Sequence, residues 1–377
     1  MDFSISEEQS LLQDSVAKFI DNDYGFEQRM KHSESDLGYS ADNWREFAEL
    51  GWTAVPFAEE DGGLDGGPVE LMLIMEQFGR GLVVEPYLAS IVLAGGALRR
   101  SASDEQKAEW LAPLIEGTKT GAFAYLEPQS RYGLSDVTLT AKRDGDEYVL
   151  NGRKGVVLNG AGADVLVVST RTAGDRKDEN GLSLFVLAAD TAGVQRRGYA
   201  TVDGQKGAEI VFDDVRVPAA QLLGDEGKAW PVIESVIQEA TLAICAEAVG
   251  IMEKLNHKTL EYTKSRVQFG VPIAAFQALQ HRMVEMFMLY EQTKSLLLWA
   301  VMAQESGDAE EARRAVSAIK YQVGTAGRQV GEEAVQLHGG MGVTWELDVA
   351  HYFKRLTVID TLFGNADHHV ERYAGLM

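Results

Sequence analysis

The sequence predicts an α+β multidomain chain with three parts. These are an N-terminal all-α domain over 1–120, a middle antiparallel β-barrel or sandwich domain over 121–225, and a C-terminal four-helix-bundle domain over 226–377. Three observations carry this reading. Apolar residues recur at helical spacing from Ile5 to about Thr118. Short β-branched runs separated by turn residues fill Gly121 to Leu223. Helical periodicity then returns from Lys228 to the C-terminus.

In the first zone Leu11, Leu12, Val16, Phe19 and Ile20 form one stripe, opened by Ser6 with Gln9 three residues on, the spacing of a capping box. Trp44, Phe47, Leu50 and Trp52 form a second, and Leu71, Leu73, Ile74, Met75, Phe78 and Leu82 a third. Gln106 to Ile115 gives a fourth, and the Gly-rich run Asp61–Pro68 predicts a loop. In the middle zone Val137–Lys142 alternates, turns at Asp144-Gly145-Asp146 and returns as Glu147–Gly152, a hairpin signal. Val165–Ser169, Leu182–Leu187 and Glu209–Phe212 predict further strands, and the polar loop Thr172–Gly181 is expected to be mobile. The last zone predicts long helices at 229–264, 274–306 and 309–338, the second and third separated by Gly307 and Asp308.

Composition narrows the function classes. The 377 residues carry 35 Lys+Arg against 57 Asp+Glu, a formal charge of −22. A nucleic-acid groove needs clustered cations to displace counterions, and an anionic membrane surface repels such a chain, so neither is expected as a partner. One cysteine, Cys245, makes no internal disulfide and is expected in the core. His338, His351, His368 and His369 lack the i, i+4 spacing of a metal site. Asp367-His368-His369 is expected at a subunit interface. Met1–Gln9 lacks the basic and apolar regions of a signal peptide, and no apolar run approaches the roughly 20 residues of a membrane span, so a cytoplasmic location is expected.

Four strings add a resemblance. They are Met1-Asp2-Phe3 with Glu7-Glu8-Gln9, Leu12, Ser15-Val16 and Phe19; Val55-Pro56 before Glu59–Leu64; Arg266-Val267-Gln268-Phe269-Gly270 with Ile273, Phe276-Gln277 and Gln280; and Gln336-Leu337-His338-Gly339-Gly340-Met341-Gly342. In this order they resemble the acyl-CoA dehydrogenase family over the whole chain, the last two being the specific ones. Physical chemistry supports the same segments as a dinucleotide site. Arginine offers a planar fork to a pyrophosphate, and a Gly-Gly step lets backbone N–H groups come close to phosphate. The resemblance implies FAD as cofactor, with Arg266, Gln268, Phe269, Phe276, Gln280, Gln336, Gly339, Gly340 and Asn365 touching it. It also implies that the two specific segments come from different subunits and hold the ADP half across an interface.

The chain departs from the family where the flavin ring should lie. In place of a Thr-Glu-Pro loop it reads Leu126-Glu127-Pro128, and in place of Trp-x-Thr-Asn it reads Val156-Val157-Leu158-Asn159. Three expected ring contacts are thus aliphatic. The family's Tyr-Glu-Gly-Thr base string is Leu362-Phe363-Gly364-Asn365, and the alternative base position on the first long C-terminal helix falls at Ala240. Seven residues along that helix, on nearly the same face, stands Glu247 amid Leu, Ala, Ile, Cys, Val and Gly. A carboxylate there is functional or paired, and burial would raise its pKa as a C–H base requires. Glu247 is therefore the expected catalytic base and Glu239 the weaker candidate. The alternative pairs Glu247 with a basic residue of another helix such as His281 or Arg282.

The expected function is FAD-dependent α,β-dehydrogenation of an acyl-CoA to a trans-2-enoyl-CoA, with electrons passed to an electron-transfer flavoprotein. The chain resembles most one member of the unlike-subunit dehydrogenases, so a homo- or heterotetramer with a related dehydrogenase chain is expected. The rival readings are a non-catalytic scaffold subunit and an oxygen-using flavoenzyme of the same fold.

Overall fold

A computed structural model describes residues 5–377, so Met1–Phe3 of the opening string lie outside the described residues. The described residues pack as two compact units, one built from 5–30, 67–83 and 241–377, the other from 31–66 and 84–240. The N-terminal helical stretch is therefore divided between two cores rather than standing alone.

Its helices are α1 (Glu7–Asp23), α2 (Phe26–Glu34), α3 (Ala41–Glu49), α4 (Pro68–Gly81), α5 (Gly96–Ser101), α6 (Asp104–Gln106) and α7 (Ala112–Ile115). The capping box forms at α1, where the Gln9 amide donates to Ser6 Oγ at 3.1 Å and the Ser6 amide to Gln9 Oε1 at 2.8 Å. Wide π-type turns at Leu88–Gly95 and Lys107–Leu111 lead into α5 and α7. The first of these is all buried, hydrophobic on every side, and has no one-face periodicity by which the sequence could reveal it.

The middle zone is one eight-stranded sheet. Its strands are β1 (Gly121–Ala124), β2 (Thr140–Asp144), β3 (Glu147–Leu158), β4 (Val165–Arg171), β5 (Leu182–Ala188), β6 (Val194–Ala200), β7 (Lys206–Pro218) and β8 (Leu222–Leu223). The order is β6-β7-β3-β2-β4-β5-β8, with β1 also on β4. The hairpin β2–β3 turns where expected, with Gly145 at φ 64°. The sheet is mixed rather than purely antiparallel, because β1 and the end of β2 run parallel to β4. Strand β6 gave no sequence signal because nearly its whole length is exposed, so no apolar alternation marks it. Leu139, Tyr148, Leu150, Val168, Phe185 and Phe212 fill the core on the sheet's inner side. The loop 172–181 is pinned: Arg171 Nη1 donates to the carbonyls of Asp178 and Asn180 and Nη2 to those of Ser135 and Arg176, all at 2.7–3.0 Å.

The last zone forms α8 (Trp230–Ser265), a short hairpin β9–β10 (Val267–Gln268, Val271–Pro272), α9 (Gln277–Glu305), α10 (Ala309–His338), α11 (Val349–Thr361) and α12 (Ala366–Gly375). Gly307 at φ 76° ends the α9 connection, and Asp308 Oδ1 caps α10 by accepting from the amides of Glu310 and Glu311. Helix α10 packs on α9, α11 and α12. By length and composition α8 could cross a membrane, but 89% of its apolar window is buried within the protein, as in a core helix. Cys245 is fully buried on α8.

Helices α4 and α8 touch backbone to backbone. A Cβ at Gly79 would overlap the carbonyl of Glu247, and one at Gly250 would overlap the carbonyl of Glu76. The reciprocal pair of glycines is therefore required by close approach. We expect Gly250→Val to cost about 2–3 kcal/mol in urea unfolding. Gly25→Ala, where a Cβ meets nothing within 4 Å, should change stability by less than about 0.5 kcal/mol.

Glu76 is buried at this crossing, and its Oε1 has no hydrogen-bond partner among the described residues. Burial pushes its carboxyl up to about 7, with Lys294 opposing and Glu253 adding to the rise. The unfolded chain releases this proton near 4.5, so between about 4.5 and 7 folding must hold a proton that the unfolded state has lost. Stability then falls as pH rises through that window, by up to about 3 kcal/mol. Glu76→Gln should remove this slope: its Tm advantage over the parent should widen from pH 5 to about pH 7 and level off above it.

Candidate active site

Helix α8 carries both carboxylates singled out in the sequence. Glu239 lies in the sheet-containing unit. Its Oε1 accepts from Arg99 Nη2 at 2.5 Å and its Oε2 from Arg100 Nη2 at 2.8 Å. Two guanidiniums thus occupy both oxygens, and Glu239 is a structural anion rather than a base.

Glu247 lies in the bundle unit and is 4% exposed. Its partner is neither His281 nor Arg282, the latter being paired with Glu333 at 2.5 Å. Arg355 of α11 donates from Nε to Glu247 Oε1 at 2.6 Å and from Nη2 to Oε2 at 2.7 Å. This is a side-on, two-bond fork with both residues buried. With both oxygens engaged by Arg355, Glu247 is a paired structural carboxylate and not the unpaired one expected of a base. Removing one partner of such a pair strands a buried charge, so Glu247→Gln or Arg355→Met should each cost about 3–5 kcal/mol in chemical unfolding. Glu247→Leu combined with Arg355→Met should recover most of that loss, whereas a catalytic Glu247 would lose activity with stability intact.

The turn Leu362–Asn365, where the resemblance places a base, carries Phe363 and is fixed by internal hydrogen bonds. Phe363 adopts a left-handed φ of 57° and is almost buried, and its carbonyl accepts from His369 Nε2 at 3.0 Å. Lys320 of α10, fully buried, donates from Nζ to the carbonyls of Asp360 at 2.9 Å and Gly364 at 2.6 Å. Burial lowers the Lys320 ammonium to about 8. The other histidines serve backbone too: His338 Nδ1 meets the Ala334 carbonyl and His351 Nε2 that of Trp345. Ala240 is fully buried.

The ring-site loop keeps its scaffold and lacks its contacts. Glu127 Oε1 accepts from Lys154 Nζ at 2.9 Å and the Leu139 amide at 3.0 Å. Its Oε2 accepts from Thr138 Oγ1 at 2.5 Å, the Thr138 amide at 2.8 Å and Gln129 Nε2 at 2.7 Å. Burial alone would raise this carboxyl, but Lys154 and these hydrogen bonds hold it at about 2. Beside it, β3 bulges between Lys154 and Val157, which puts Val156 at φ 50°, a strained conformation for a β-branched residue. Asn159 is also left-handed, at φ 57°, and its Nδ2 donates to the Gly121 carbonyl. Val156 is 45% exposed. Leu126, Val156 and Leu158 offer no side-chain hydrogen bond to a heteroaromatic ring.

The dinucleotide segments are brought together. Tyr262, near the end of α8, stacks on His338 at 4.4 Å and donates to its carbonyl at 3.3 Å. The Arg266 hairpin and the Gly339 turn therefore share one end of the bundle. Arg266, Gln268, Gln336, Gly339 and Gly340 are exposed, and Phe269 is 91% exposed. A Cβ at either Gly339 or Gly340 meets nothing within 4 Å, and Gly339 has φ 60°. Phe276 stands edge-on to Phe269 at 6.1 Å, and Gln280 Nε2 donates to the Ala274 carbonyl. Asn365 is not free for a ligand in the same way, since its Oδ1 accepts from the His368 amide and caps α12.

These features fall within matched families. Models of the acyl-CoA dehydrogenase N-terminal, middle and C-terminal domains match residues 6–118, 122–215 and 227–375. The chain belongs to the acyl-CoA dehydrogenase family. It is an oxidoreductase of that class, whose cofactor is FAD. A short-chain-specific acyl-CoA dehydrogenase of Megasphaera elsdenii is 32% identical over 82% of this chain and 82% of its own length. The structure of butyryl-CoA dehydrogenase from M. elsdenii matches with a TM-score of 0.89 at 28% identity, covering 100% of this chain and 99% of that one. A chain of the ChsE4–ChsE5 complex from Mycobacterium tuberculosis matches with a TM-score of 0.89 at 25% identity, covering 100% and 98%.

Within this dehydrogenase the fit to FAD is divided. The open Gly339-Gly340 backbone and the exposed Arg266 and Phe269 suit the ADP half. The aliphatic trio Leu126, Val156 and Leu158 does not suit the isoalloxazine ring. Three structural residues escaped the sequence reading, although their periodicity marks them. Lys154 has the inward parity of Tyr148 and Leu150, Lys320 lies on the Val316–Val323–Gly327 stripe, and Arg355 lies on the Tyr352–Ile359 stripe.

Proposed function

We propose that this chain is one subunit of a heteromeric acyl-CoA dehydrogenase. In this reading it gives the ADP-side contacts of a flavin whose ring site belongs to a related chain. The reaction is α,β-dehydrogenation of an acyl-CoA to a trans-2-enoyl-CoA, with electrons leaving to an electron-transfer flavoprotein. FAD supplies the hydride acceptor of that reaction.

One observation carries the reading: an exposed dinucleotide cradle stands in the same chain as a ring site with three aliphatic contacts and a base position filled by Phe363. Arg266 would bind pyrophosphate oxygens, Gly339 and Gly340 would approach them through backbone, and Phe269 would cover an adenine face. With Glu239 and Glu247 both engaged by arginines, the α-proton is taken by a base on the related chain. The likeness to a chain of the two-protein ChsE4–ChsE5 complex supports a partner of this kind.

The test is the visible absorption spectrum of the purified chain, alone and co-expressed with a related dehydrogenase chain. The expected result is a colourless chain alone and a yellow complex of both chains with about one flavin per pair. Arg266→Ala should reduce the flavin retained by that complex at least tenfold on dilution. A flavin-replete homo-oligomer with full dehydrogenase activity would overturn the proposal, and a complex that stays colourless would leave the chain a scaffold.

A further inference from the structure

A cavity of about 320 Å³ opens in the sheet-containing unit, between the end of α5, the loop into α6, strands β5 and β8, and the start of α8. Arg99, Arg100, Lys107 and Lys228 line it, and the half-buried Val232 gives it apolar wall. None of these residues belongs to the dinucleotide cradle or the ring loop.

The charges around it do not balance. Arg99 and Arg100 share the single carboxylate of Glu239, and Lys107 Nζ pairs with Asp61 Oδ2 at 2.9 Å. These five side chains are between 12% and 22% exposed. Three cations against two carboxylates leave one positive charge largely out of water. At the rim Lys228 pairs with Asp225 at 3.1 Å, both about three-quarters exposed, which adds no net charge. In a chain of formal charge −22 such a local excess of cation is unusual. Burial already works against Arg100, lowering its guanidinium from its ordinary value.

An uncompensated, half-buried cation gains most from an anion with several acceptor oxygens. Arginine forks match the edges of a phosphate, and a lysine adds a point charge. Arg100 spends Nε on Ser235 Oγ, Nη1 on the Gly96 carbonyl and Nη2 on Glu239, so each Nη retains one further N–H. Arg99 likewise donates to the Pro56 carbonyl and to Glu239. We infer that this cavity binds a phosphomonoester, its phosphate set against Arg99, Arg100 and Lys107 and its organic part against Val232. The inference is independent of the flavin reading, because no residue is shared between the two.

Calorimetric titration of the full chain, or of its complex with the related chain, tests it with two probes, inorganic phosphate and phenyl phosphate. The expected result is saturable binding of one phosphate per chain, weakened by added NaCl, with phenyl phosphate binding several-fold tighter. Arg100→Gln should weaken both probes at least tenfold. Lys228→Glu, on an exposed rim residue that does not support the fold, should weaken both about threefold or more and keeps the test open if Arg100→Gln fails to fold. Absence of saturable binding, or binding unchanged in Lys228→Glu and in any folded Arg100→Gln protein, would overturn the inference.

Discussion

A carboxylate inside a helical bundle is tolerated only when both oxygens are bonded, and the Glu247–Arg355 fork meets that condition between α8 and α11. Much of the bundle's organisation is tied to this pair. The carbonyl of Glu247 itself faces Gly79, so the residue whose side chain pairs with α11 also lies where α4 makes its closest approach to α8. Helix α11 then runs into the turn Asp360–Gly364, which Lys320 of α10 fixes through two carbonyls. Three buried charged groups, Glu247, Arg355 and Lys320, thus tie α8, α10 and α11 together. The fold is maintained here by ionic and carbonyl contacts, with the apolar Phe363 at the turn.

That arrangement explains how far the sequence could be read. Helix α10 and the β2–β3 hairpin were legible because period, cap and turn residues agree with one another, whereas α8 and α9 were legible by their length and apolar content. The exposed strand β6 and the wholly buried Leu88–Gly95 turn were not, since a segment that is uniformly wet or uniformly dry has no periodicity. The site was legible in its motifs and misleading in its charges. Glu247 looked isolated because its partner lies 108 residues away, and only tertiary structure joins them. The hydrophobic neighbourhood that suggested a raised pKa is equally the neighbourhood of a buried ion pair. Sequence alone separates these outcomes only if the partner is found, and Arg355 was findable because it shares a buried stripe with Tyr352 and Ile359.

The ring loop shows the same separation of scaffold from chemistry. Glu127, Lys154, Thr138 and the bulge at Val156 reproduce a site in which every buried polar group is satisfied internally. Such a network specifies the backbone whether or not a ligand arrives. The left-handed Val156 is instructive, because a β-branched residue gains nothing from that conformation by itself and holds it only because the bulge imposes it. The backbone geometry of the loop is therefore set by this network and by the bulge rather than by the Val156 side chain.

The dinucleotide cradle shows the converse. Phe269 is almost wholly exposed in a left-handed conformation, and the Gly339-Gly340 step has open space where side chains would be. Exposed aromatic surface and bare backbone N–H groups contribute nothing to the stability of this chain alone, while Glu247, Lys320 and Glu127 contribute nothing obvious to catalysis. Polar groups that are internally satisfied mark the parts of the molecule that serve its own folding. Those left open, at one end of the bundle, mark the part that serves another molecule. By that division the Glu127 loop and the Phe363 turn are built from internally satisfied groups, and the exposed ends of α8 and α10 are the part left open.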